Sequence, residues 1–122
     1  MEITKDGGMI YATVIGISGK KYPFRGFDVS TYPDDTHVHM SNDMTVYIFF
    51  KDIDKEKPTL LDIGSRDNWA ILYKNMNKFK FLKENNVTHF MYYELETNEN
   101  AYKIRWDILD GNTFDQSNFK ES

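Results

Sequence analysis

Met44-Thr45-Val46-Tyr47-Ile48-Phe49-Phe50 is the strongest strand signal in the chain, a nearly unbroken run of apolar, β-branched and aromatic residues. A strand without polar alternation is covered on both faces, so this stretch predicts the central strand of a sheet. Residues 51–58 form a charged connection, and Thr59-Leu60-Leu61-Asp62-Ile63-Gly64 reads as a second short strand. That strand carries a carboxylate where a side chain should pack. After the break at Asn85-Asn86, Thr88-His89-Phe90-Met91-Tyr92-Tyr93-Glu94-Leu95 reads as a third core strand.

Helices fill the remaining intervals. Asp67 is placed to cap one whose apolar stripe is Trp69, Leu72, Tyr73 and Met76, at helical spacing. Thr97 or Asn98 caps a last helix that Gly111 should end. Its stripe is Ala101, Ile104, Ile108 and Leu109, with Arg105 in the middle. Upstream, residues 9–17 and 21–27 flank a Ser18-Gly19-Lys20 turn signal and predict an N-terminal β-hairpin. Pro23 is expected on an edge, where a missing N–H does no harm. Residues 28–43 are polar and punctuated, which suits a surface loop. The reading is therefore α+β, with a small mixed or antiparallel three-stranded core sheet flanked by helices and an added hairpin. Residues 1–43 hold the hairpin and loop, 44–114 the core, and 115–122 a loose tail, all in one compact domain.

The chain of 122 residues is 40% hydrophobic and 16% aromatic, too apolar for intrinsic disorder. It has no cysteine, which excludes a disulfide framework, a thiolate nucleophile and any cysteine-based zinc site. No basic-then-apolar leader opens it and no stretch approaches 18 uninterrupted apolar residues, so the expectation is a cytoplasmic protein without a membrane span. Fifteen Lys and Arg against 19 Asp and Glu give a net charge of −4. Phosphate binding favours a basic surplus, although a basic face can hide inside an acidic average.

Strand, strand, helix, strand, helix is the order of the GIY-YIG nuclease domain. Thr45-Val46-Tyr47 resembles that family's first motif, and Asp62-Ile63-Gly64 its second with the tyrosine replaced. Ser65-Arg66-Asp67-Asn68-Trp69 is similar to the stretch leading into the family's first helix, and Val87-Thr88-His89-Phe90 to a later strand opening. The resemblance spans residues 44–114. It implies a water-activating tyrosine at Tyr47, a second tyrosine position at Asp62, a phosphate-stabilising arginine position at Leu72 and a metal-binding glutamate position at Arg105. Three of those four have lost the required group, and an arginine repels a divalent cation. Arg66 and Asp107 do not take up the vacated geometry. A non-catalytic domain without cofactor or metal follows, in which Asp62 and Arg105 are expected to form a buried ion pair.

Other signals are set against plainer readings. His37-Val38-His39 beside Asp34 and Asp35 offers two imidazoles but no ligand spaced to close a metal site. His89 reads as a core or edge histidine. Residues 78–83 interleave lysines with aromatics and suit a solvated amphipathic segment. Tyr102 and Trp106, four apart, share a helix face beside the stripe.

The leading expectation is a binding protein that engages a protein partner, with Arg66, Trp69, Lys74, Tyr102 and Trp106 as candidate contacts. Its small size and acidity fit the inhibitors used in phage–host conflict. The alternative is a nucleic-acid or nucleotide site in the former catalytic cleft, using Arg66, Lys74 and Arg105. Weak metal-dependent nuclease activity through Tyr47 is a distant third.

Overall fold

A computed structural model describes residues 2–28, 45–56, 58–66 and 83–112. Six strands make one sheet: β1 (Glu2–Asp6), β2 (Met9–Ile15), β3 (Lys21–Asp28), β4 (Thr45–Lys51), β5 (Thr59–Arg66) and β6 (His89–Glu94). The spatial order is β1-β2-β3-β6-β4-β5, and every neighbouring pair is antiparallel. Among the described residues, the helix α1 (Ala101–Gly111) crosses one face.

This corrects the three-stranded core flanked by helices. The hairpin is no addition, because β6 pairs with β4 on one side and β3 on the other and joins both halves. Close approach at Gly26 permits that seam, since a Cβ there would collide with the carbonyl of Phe90. A further strand, β1, turns into β2 through Gly7 and Gly8, both at positive φ (60° and 92°), as a two-residue hairpin turn requires. Its polar sequence hid it, and such polarity suits a strand at the sheet edge. Pro23 lies in the half of β3 that pairs only with β2, because β6 pairs with Arg25 to Asp28.

Alternation sorts the side chains onto two faces. On the helix face, Ile10, Ala12, Val14, Tyr22, Phe24, Val46, Ile48, Phe50, Leu60, Ile63, Met91 and Tyr93 meet Ala101, Ile104 and Ile108. The far face carries a second cluster of Phe27, Tyr47, Phe49, Leu61 and Phe90. β4 is buried on both faces from Thr45 to Phe50, as its apolar run predicts.

α1 begins at Asn100, whose side chain accepts from Lys103 N at 3.0 Å, and not at Thr97 or Asn98. It ends at Gly111 as expected. The amide of Asn112 then donates to the carbonyls of Ile108 (2.7 Å) and Ile15 (2.9 Å), tying the helix end to β2. The stripe Ala101, Ile104 and Ile108 is buried, with Arg105 beside it. Among the described residues, no helix is long and apolar enough to cross a membrane.

Candidate functional site

Tyr47, the residue expected at the head of a catalytic cleft, has no exposed surface. It packs edge-on to Phe49 (5.7 Å) and stacks on Phe90 (6.5 Å) within the far-face cluster. Asp62 is 1% exposed. Leu72, Trp69 and Lys74 lie outside the described residues, as do His37, His39 and most of residues 78–83. Arg66 is placed by its backbone, at the end of β5 opposite Thr45.

The expected Asp62–Arg105 pair loses its geometric basis to a β-bulge. Phe50 faces Leu60, but Phe49 faces Asp62, so Leu61 is the extra residue. The slip puts Leu61 and Asp62 on the far face with Phe49, whereas Ile63 returns to the helix face. Arg105, on the helix side, donates from Nε to the carbonyl of Ile63 at 3.1 Å. Its guanidinium also lies 5.2 Å from the centroid of the Trp106 ring.

Trp106 and Tyr102 are on the outward side of α1, 41% and 60% exposed. Their rings meet edge to face at 6.3 Å, the i, i+4 contact expected of a helix.

A polar cluster on the other flank of α1 carries the sharpest electrostatics. Asp107 accepts three hydrogen bonds: from the Tyr22 hydroxyl (2.7 Å), the Ser18 hydroxyl (2.7 Å) and the Ser18 amide (2.9 Å). Glu99 accepts from the Tyr93 hydroxyl (2.6 Å), the Glu96 amide (2.8 Å) and Lys20 (3.0 Å). Burial works to raise both carboxylates, yet these donors hold each below its usual range. Burial and the facing carboxylates push Tyr22 up to about 12 and move Tyr93 the same way. The two tyrosines touch edge to face at 5.5 Å. An open cavity of about 400 Å³ lies over this cluster, lined also by Asn98, Asn100, Lys103 and Ile104.

Chemically, this is a clasp rather than a reactive centre. Both carboxylates are engaged by donors and both phenols are held protonated. The clasp fastens the β2–β3 turn to α1, and the Ile17 amide reinforces it by donating to the Asp107 carbonyl at 3.0 Å.

Composition and motif order did not point to this cluster. The legible signal was a tyrosine in each of two buried strand segments, because a buried phenol needs an acceptor. His89 is a core histidine, stacked on Phe50 at 5.6 Å with Nδ1 2.8 Å from Thr88 Oγ1. Burial lowers its pKa against the opposing pull of Asp28. Among the described residues, no three His, Asp or Glu side chains gather as metal ligands would. No family model, curated protein or solved structure matches this chain.

Proposed function

We propose that this chain works by binding a protein partner through the outward face of α1, and not by catalysis. The observation that carries the reading is the exposure of Tyr102 and Trp106 on a helix whose other large apolar residues are buried or half-buried. Tyrosine, tryptophan and arginine are the side chains that most often anchor protein interfaces. Here the two rings hold each other and Arg105 lies against Trp106, so little freedom is left to lose on association. The clasp at Asp107 and the buried Ile104 and Ile108 fix the helix that presents them. Tyr47 and Asp62, buried in the core, offer a substrate no access, which is why catalysis is the weaker reading.

The test is a tagged full-length chain exposed to source-cell extract at low and moderate salt, beside a Tyr102→Ala, Trp106→Ala double variant. A stoichiometric protein retained through moderate salt by the native chain and lost by the variant is the expected result. Retention unaffected by the double substitution would reject this surface, and recovery of nucleic acid alone would reject the partner class.

A further inference from the structure

The outward face of α1 is its own complement. Lys103 and Asp110 are exposed there, and neither side chain has a partner among the described residues. They stand about two helical turns apart, so they share one side of the helix. Trp106 lies midway between them, and Tyr102 and the half-buried Leu109 occupy the neighbouring strip. Arg105 lies against the Trp106 ring but is itself buried, so it holds the ring from beneath and leaves its outward part open. A two-fold axis passing Trp106 at right angles to α1 lays a second α1 antiparallel on the first. Such an axis carries each residue to the opposite height on the same side, so the partner's Asp110 comes opposite Lys103, and the partner's Lys103 opposite Asp110. Each pair sits about 5 Å along the helix from the axis, at 1.5 Å of rise per residue. The two Trp106 rings meet near the axis, and each Tyr102 comes over the partner's Leu109.

We propose that the partner bound by this face is a second copy of the chain, in an antiparallel α1–α1 dimer closed by two Lys103–Asp110 pairs around the two Trp106 rings. The proposal rests on the reading of the α1 face given above and names its occupant. Charge order selects that occupant. One unpaired cation and one unpaired anion flank an aromatic centre, so the matching surface carries the same charges in reverse order. The same helix turned end for end is such a surface, and an isologous contact then makes every interaction twice. Lys103 and Asp110 cancel within the patch, so the net charge of −4 on each chain is not concentrated where the two copies meet.

The experiment is sedimentation equilibrium of the full chain from about 1 μM to 1 mM, the range in which a modest interface assembles. Expected is a reversible rise from the mass of one chain to that of two. Trp106→Ala should weaken dimerisation by about 30-fold or more, the scale of a central anchor. Lys103→Glu and Asp110→Lys each set like charges opposite one another at both exposed pairs, and each should weaken it by about 10-fold. The two together restore opposite signs and should return it to within about threefold of the native value. Both reversals suit the helix dipole, an acid in the first turn and a base in the last, so neither unfolds α1. A monomer at every concentration would overturn the proposal. Retention of a different protein from extract, lost in Tyr102→Ala, Trp106→Ala, would in that case keep the α1 face as a binding surface and reject only this occupant. Dimers undiminished by Trp106→Ala, or a double reversal no tighter than the single ones, would overturn it as well.

Discussion

Asp62 and Arg105 lie on opposite sides of the sheet, because the bulge that inserts Leu61 across from Phe49 turns Asp62 away from α1. Had the register run on from the Phe50–Leu60 pair without it, Asp62 would face Ile48 and point at the helix. A double-mutant cycle of Asp62→Asn with Arg105→Met measures the difference. Both singles should destabilise, with coupling within about 0.5 kcal/mol of zero, as for sites that share no contact. Urea unfolding gives the numbers, and a coupling above about 2 kcal/mol would mean that the two charges meet after all.

Gly16 and Asp107 approach so closely that a Cβ on Gly16 would occupy the space of the carboxylate. Gly16→Ala should therefore break the clasp and cost more than about 2 kcal/mol, in the range of overpacked sites. Gly19 is the control. It adopts φ +87°, and a Cβ there would meet nothing within 4 Å. Its alanine variant should lose only the left-handed backbone preference, about 1–2 kcal/mol. Gly16 has no left-handed φ, so a loss there below about 0.5 kcal/mol, as at an ordinary surface position, would say that the clasp contributes nothing.

The N-cap separates two readings of the same polar stretch. Asn100→Ala should cost about 1 kcal/mol by freeing the Lys103 amide, and Thr97→Ala, at an exposed position outside the cap, less than about 0.5 kcal/mol. The reverse ranking in thermal unfolding would move the helix start upstream.

Strands β2 to β6 and the buried stripe of α1 were legible because apolar alternation and β-branched runs report burial directly. What misled was assembly. Nothing in the local pattern of Arg25 to Asp28 says that this half of β3 will pair with His89 to Tyr92, and that pairing turns a hairpin plus core into one sheet. The bulge was equally silent, since one added residue leaves Leu60-Leu61-Asp62-Ile63 reading as an ordinary strand with a misplaced carboxylate. Of the candidate contacts, Tyr102 and Trp106 are where helical spacing put them. The clasp was missed because Tyr22 and Asp107 are 85 residues apart. Their pairing depends on a turn and a helix meeting at Gly16 and Gly111, where a Cβ on either would collide.

That clasp gives stability a pH dependence at both ends of the scale. Burial raises Asp107, but the Tyr22 and Ser18 donors outweigh it and hold the folded value below the ordinary 3.8. A depressed folded pKa contributes stability that is complete above the unfolded value and is lost as pH falls through the folded one. Tyr22 behaves oppositely. Burial first, and the Asp107 hydrogen bond second, raise it from 10.0 to about 12, so its contribution is complete below 10 and lost as pH climbs towards 12. Urea midpoints should be flat from about pH 7 to 9 and fall on either side. The acid fall begins with His89, whose buried ring protonates less readily folded than unfolded, and deepens as Asp107 titrates. Tyr22→Phe should remove part of the alkaline loss and soften the acid one, because Asp107 loses a donor. Asp107→Asn should reduce both slopes without abolishing them, since Glu99 and Tyr93 repeat the arrangement near the start of the helix. An acid slope unchanged in Asp107→Asn would show that its carboxylate titrates alike folded and unfolded, and the clasp would then be geometry without energy.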